Sequence, residues 1–135
     1  MEDGGGIQFE IPGDAVPFAR AGAHGKRRFT PKRQSDYMAV VKLFASQAMA
    51  GRKPLEGPLR MIVEAEYVPP ASWSKKKVAT ADWKTSKPDA DNLYKLVADS
   101  LNGVAFVDDA QIADVRITKT YAAVSRLVVI VEPLA

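Results

Sequence analysis

The hydrophobic pattern is most informative between Lys87 and Gln111, which read KPDADNLYKLVADSLNGVAFVDDAQ. Leu93, Leu96, Val97 and Leu101 fall at i, i+3, i+4 and i+8, one face of an amphipathic helix. The spacing predicts a helix from about Ala90 to Asn102, opened by Asp89 after Pro88 and closed by Asn102-Gly103. A second helical pattern runs through Tyr37, Val40, Val41, Phe44, Ala48 and Met49, with Asp36, Lys42 and Ser46 facing away. Thr30 is its expected N-cap, Pro31 its first residue and Gly51 its stop, with Pro54 beyond. A shorter helix is expected within 74–81, capped by Ser72 or Ser74.

Period-two alternation marks the strands. Ile7, Phe9 and Ile11 alternate with Gln8 and Glu10, and Leu59, Met61, Val63, Ala65 and Tyr67 alternate with Arg60, Ile62, Glu64 and Glu66. Val115 and Ile117 alternate with Asp114, Arg116 and Thr118 in a strand continuing toward Tyr121. Val16 to Arg20 is either a further strand or an extended arm. The unbroken run Leu127 to Val131 predicts a central strand covered on both faces. The sum is an α+β domain over 7–135, with a mixed or antiparallel sheet and two main helices packed on it. Residues 1–6, acidic and Gly-rich, are expected to be a disordered tail.

Composition changes this picture by exclusion. At 47% hydrophobic residues the chain is globular, and its 135 residues suit one domain. With no cysteine there is no disulfide, thiolate metal site or cysteine nucleophile, and the single histidine, His24, cannot build a histidine cluster. No apolar run approaches the roughly 18 residues of a membrane span, and no signal peptide is visible, so the expectation is a cytoplasmic protein without membrane contact.

The net charge of +3 is mild, but the cations are grouped. Arg20, Lys26, Arg27, Arg28, Lys32 and Arg33 occupy one segment, and Lys75, Lys76, Lys77, Lys84 and Lys87 lead up to the acidic helix. Such groups commonly contact phosphates, or else form solvated loops. Trp73 and Trp83 flank the lysines, and either stack on unpaired bases or pin the loop to the body.

Acidic residues mark both ends of the predicted helix: Asp89 and Asp91 at its start, Asp108 and Asp109 after its end. Each has a structural reading. Asp89 is an N-cap, Asp91 suits the first-turn dipole or pairs with Lys95 at i, i+4, and Asp108-Asp109 are turn residues. Brought together they make an oxygen-only site suited to Mg²⁺. Asp89 and Asp91 do not share a face in mid-helix, yet the non-helical cap residue lets them converge. In extended chain, Asp108 and Asp109 point to opposite sides, so one of them faces the metal. Glu64 and Glu66 are a rival pair, read first as a solvated face.

The pattern Lys87-Pro88-Asp89-x-Asp91-Asn92-Leu93, then Lys95, Asp99 and Leu101, then Asp108-Asp109-Ala110-Gln111, resembles the RusA family of Holliday junction resolvases. The basic stretch from Pro17 into Thr30-Pro31-Lys32 is similar to the family's N-terminal part. The resemblance implies a small homodimeric endonuclease that binds branched DNA and uses Mg²⁺, with Mn²⁺ as a substitute, and no organic cofactor. It assigns Asp89, Asp91 and Asp109 to the metal and to catalysis, with Lys95 as the required lysine. Asn92, Asp108 and Gln111 are expected to support the acidic groups. A bacterial or phage origin goes with the resemblance. The competing expectations are a branched-DNA-binding module without catalysis and a Mg²⁺ nuclease acting on flaps.

Overall fold

The alternation in 59–67 buries Leu59, Met61, Val63, Ala65 and Tyr67 along one side of a strand, as its pattern predicts. The structure is a computed structural model that describes residues 5–19 and 32–135. In chain order the elements are β1 (Ile7–Pro12), α1 (Lys32–Met49), β2 (Leu59–Tyr67), α2 (Lys75–Ala79), α3 (Ala90–Leu101), a 3-10 turn (Asp109–Gln111), β3 (Ile112–Tyr121) and β4 (Arg126–Pro133). The strands form one mixed sheet in the order β1-β4-β2-β3. β4 is antiparallel to β1 and β2, and β3 is parallel to β2. A parallel pair needs a long crossover, and the chain from β2 to β3 supplies it. That crossover carries α2, α3 and every acidic residue of the Lys87–Gln111 motif. The expected α+β architecture is therefore the one observed.

Side chains from one face of the sheet form a single core with Val41 and Ala45 of α1 and with Leu93, Leu96, Val97 and Leu101 of α3. Leu93 to Leu101 are the apolar positions that predicted α3, and all four are at most 1% exposed. Burying each such side chain contributes roughly 1.5–3 kcal/mol, so α3 is anchored by this stripe. Asn102 ends the helix and Gly103 follows at φ +80°, a left-handed conformation that costs glycine little.

Two local expectations are corrected, and one alternative is decided. In α1, Val41 and Met49 are buried and Tyr37, Phe44 and Ala48 pack on the core as expected, but Val40 is 37% exposed and Gln34 and Ala45 are buried in addition. Gln34 is buried because its Oε1 accepts from Ala19 N at 2.7 Å, which ties the arm before α1 to the helix. The expected start at Thr30-Pro31 lies outside the described residues. Residues 13–19 form an extended arm without regular structure, and Phe18 N donates to Asn92 O at 3.0 Å. Finally, β4 is central but its second face is not sealed in apolar core. There Arg126 bridges Glu10 and Glu66 at 2.8 Å each, and Arg60 bridges Asp114 at 2.8 Å and Glu132 at 3.2 Å. Hydrogen bonds to these carboxylates hold both guanidiniums more firmly protonated than usual. Glu66 thus has a structural partner, which removes the Glu64–Glu66 pair as a rival metal site.

In the crossover, Ser74 caps α2 by accepting from Lys77 N at 3.1 Å. Trp73 packs on Tyr121 with ring centroids 5.0 Å apart, so it pins the loop, whereas Trp83 is 64% exposed. Asp82 to Lys84 then run along the edge of β3, where Trp83 bridges Thr120. Among the described residues no helix is long and apolar enough to cross a membrane.

Candidate active site

With Leu93, Leu96, Val97 and Leu101 facing the core, helical geometry groups Asp91, Tyr94, Lys95, Ala98 and Asp99 at i, i+3, i+4, i+7 and i+8 along a neighbouring stripe, with Ala98 buried at its floor. These residues and Asp109 line a cavity of about 320 Å³. Asp109 arrives from the 3-10 turn before β3, so two acidic stretches separated in sequence meet on the flank of α3. Lys95 donates to Asp99 Oδ2 at 3.3 Å and lies 4.7 Å above the Phe18 ring. Asp99 lies one turn after Lys95 on the same stripe. The Tyr94 hydroxyl is pushed to a higher pKa by burial first, and then by the negative charges of Asp109 and Asp99.

Asp109 is oriented by Asn102. The Asn102 Oδ1 accepts from Asp109 N at 2.8 Å, and its Nδ2 donates to Asp109 Oδ2 at 3.4 Å. Asp108 is exposed and caps the 3-10 turn, so Asp109 is the member of the pair that faces the cavity. Gln111 does not reach the carboxylates. Its Oε1 accepts from Val107 N and Asp108 N at 2.9 and 3.1 Å, and its Nε2 donates to Leu55 O and Gly57 O at 3.0 Å each. It supports Asp109 through the backbone instead.

Asp89 stands elsewhere. It occupies the N-cap position of α3 with extended dihedrals, φ −72° and ψ 144°, but its side chain makes no capping hydrogen bond. It lines a second, larger cavity of about 800 Å³ at the start of α3, together with Arg33, Lys84, Lys87, Asn92 and Phe18. Its ion pair with Lys87 is loose, at 3.9 Å. The expected convergence of Asp89 on Asp91 is not observed. Among the described residues no group of three or more histidine or acidic side chains stands close enough to share one ion. Asn92 contributes to the basic cavity rather than to the acidic one, and its Oδ1 is buried without a hydrogen-bond partner among the described residues.

The donors at the acidic cavity are carboxylate oxygens, the chemistry that suits Mg²⁺ over softer metals. Three carboxylates and one ammonium line that cavity, which leaves its lining formally negative. Mg²⁺ commonly keeps several waters and takes one or two protein carboxylates plus substrate phosphates. Asp91 and Asp109 fit that requirement.

Residues 12–132 match the family described as endodeoxyribonuclease RusA. The chain belongs to the RusA family. It is also 32% identical over 142 residues to the uncharacterized protein YqaN of Bacillus subtilis (strain 168), covering 96% of this chain and 97% of that protein. The family is one of DNA endonucleases, which makes the two cavities of this RusA-family chain a candidate active site and a candidate phosphate-binding flank.

The basic residues expected at DNA divide accordingly. Arg33, Lys84 and Lys87 line the cavity beside Asp89. Lys84 also donates to Ser86 Oγ at 2.8 Å and sits above the rings of Tyr67 and Tyr121 at 5.2 and 5.4 Å. Lys32 pairs with Asp36 at 2.8 Å on the exposed side of α1. Lys75 and Lys76 are exposed on α2, and Lys77 lies 4.1 Å above the Trp73 ring. Arg20, Lys26, Arg27 and Arg28 lie outside the described residues.

Sequence reasoning overlooked several residues that shape this RusA-family site. Asp99 shares helical spacing with Asp91 and Lys95, and that i, i+4, i+8 stripe was a usable signal. Asn102 before Gly103 carries only the signal of a helix stop. Phe18 under Lys95 carries no sequence signal, because it depends on how the arm docks.

Proposed function

We propose that this protein is a Mg²⁺-dependent endodeoxyribonuclease that resolves four-way DNA junctions as a homodimer, hydrolysing phosphodiesters on opposing strands. The observation that carries the reading is the meeting of Asp91 and Asp109 with Lys95 at one cavity, beside a second cavity lined by Arg33, Lys84 and Lys87. Asp91 and Asp109 supply the metal's protein oxygens, and Asp89 is the third acidic residue assigned by the family pattern. Bound there, Mg²⁺ (or Mn²⁺) supplies Lewis-acid polarisation of a phosphate oxygen and a more acidic bound water. Lys95 neutralises charge growing on the phosphate oxygens. The basic cavity seats neighbouring phosphates and fixes the strand in register. A four-way junction has near two-fold symmetry, so a two-fold dimer presents one site to each of two opposing strands.

A labelled four-way junction, a flap and a linear duplex, each with Mg²⁺ or with chelator, test the reading. Paired cuts in the junction that need the metal are the expected result. Asp91→Asn is expected to lower cutting by more than about 100-fold with junction binding unchanged or tighter, because it removes a ligand and a negative charge beside phosphates. Wild-type cutting by that variant overturns the assignment. The competing reading is a branched-DNA-binding protein that does not cut. The separation of Asp89 from the Asp91–Asp109 cavity favours it, and binding without cleavage in the Mg²⁺ arm establishes it. Preference for the flap makes the substrate a different branched DNA.

A further inference from the structure

Chain segment 85–88 delivers Asp89 to the start of α3, yet it belongs to no helix or strand. Since Asp89 makes no side-chain cap, the helix start does not lock this residue by itself. The anchoring comes from β3. Lys119 O accepts from Lys84 N at 2.9 Å, and Lys119 Nζ donates to Ser86 O at 2.9 Å and to Pro88 O at 2.7 Å. One residue thus grips the segment before, within and after the turn that presents Lys87. Lys119 pairs with Ala65 in the β2–β3 register, placing it on the sheet face that bears the core, and it is half-buried. An ammonium has three donors and no acceptor, and the two carbonyls at hydrogen-bond distance satisfy two of them. These carbonyls bracket Lys87, and the second belongs to the residue immediately before Asp89.

We infer that Lys119 is a positioning residue of the acidic site: its ammonium, held by β3, sets where Asp89 and the first turn of α3, which carries Asp91, stand relative to Asp109. The inference rests on the nuclease reading for its consequence in cutting, but the clamp itself is testable without activity. Lys95 touches the site directly, whereas Lys119 acts through the backbone of 86–88. The two lysines therefore predict different kinetics. Losing a group that only orients others lowers turnover and metal affinity by roughly 10- to 100-fold, with little change in DNA affinity.

The test compares wild type with Lys119→Met, which keeps length but removes the donors, and Lys119→Arg, which keeps donors. Hydrogen exchange is read at the Asn92 and Leu93 amides, both bonded to Asp89 O at 3.2 Å. Lys119→Met is expected to speed exchange there by about 10-fold or more and leave Val97 and Leu101 unchanged. Mn²⁺ binding to DNA-free protein, followed by water proton relaxation, is expected to weaken about 10-fold. Junction cutting is expected to lose kcat by about 10-fold or more at a KM within about twofold, with Lys119→Arg recovering most of it. Unchanged exchange at Asn92 and Leu93 overturns the clamp, and faster exchange with unaltered Mn²⁺ affinity and kcat overturns its role at the site. Should Lys119→Met not fold, Lys119→Gln is read by the same criteria. A wild-type protein that cuts no DNA defeats the nuclease reading, while exchange and Mn²⁺ affinity still decide the positioning role.

Discussion

Asn102 makes two hydrogen bonds to Asp109, one to its backbone N–H and one to its carboxylate. It converts the end of α3 into a support for an acidic residue on another element. Removing it frees the Asp109 side chain to rotate while leaving the carboxylate in place. Asn102→Ala is therefore expected to reduce metal-dependent cutting by about 10- to 100-fold in single-turnover assays. The accompanying stability loss is expected to be only about 1 kcal/mol, measured by urea unfolding. Asp89 poses the opposite case. A capping aspartate usually gives about 0.5–2 kcal/mol through its side-chain bond, and this one makes none. The acidic residues and Lys95 were legible as candidates because of their types and spacing. Asn102 was not, since an asparagine before glycine reads equally well as an ordinary helix stop.

At the scale of elements, α3 works as a two-sided bar. Its apolar stripe is pressed into the core, and the same rotation exposes Asp91, Lys95 and Asp99 in a row. The 3-10 turn is the second fixed element: Gln111 holds it to the loop before β2 with two hydrogen bonds and to the chain at Val107 and Asp108 with two more. Gln111→Ala leaves two backbone donors and two carbonyls without that partner. It is expected to cost about 2–3 kcal/mol in urea unfolding and to lower cutting through displacement of Asp109. Glutamine at this place was expected to support the carboxylates. The loop at 55–57, whose approach no local pattern reveals, takes its side chain instead.

For the whole molecule, the joint between arm, α1 and β2 is the place where titration reaches the fold. Tyr67 donates to Ala15 O at 3.3 Å, and the Tyr37 hydroxyl is buried without a hydrogen-bond partner among the described residues. Burial, and then nearby negative charge, raises both phenols above their ordinary value of 10.0; for Tyr67 Arg33 partly offsets this. A proton held more tightly in the folded state gives stability that is intact below about pH 10 and declines as pH climbs above it. Thermal melts are expected to fall from about pH 10 upward, with late tyrosinate absorbance from these two rings. Tyr37→Phe is expected to flatten that decline and be neutral or slightly stabilising at pH 7, since it removes a buried hydroxyl that has no partner among the described residues.

Local periodicity determined much of this protein from the sequence alone. The alternation of 59–67, the stripe of α3 and the cluster of acidic types are all set by neighbours a few residues apart, and they specified elements, fold class and family pattern. Tertiary structure decided which of those groups meet. Asp91 and Asp109 share a cavity because a parallel crossover returns the chain to β3 beside α3. Asp89, only two residues before Asp91, faces another cavity because an extended cap residue and a helical residue project differently, and because Lys119 holds the chain leading into it. Side-chain direction at a helix start and the docking of loops depend on contacts distant in sequence, which no local pattern encodes.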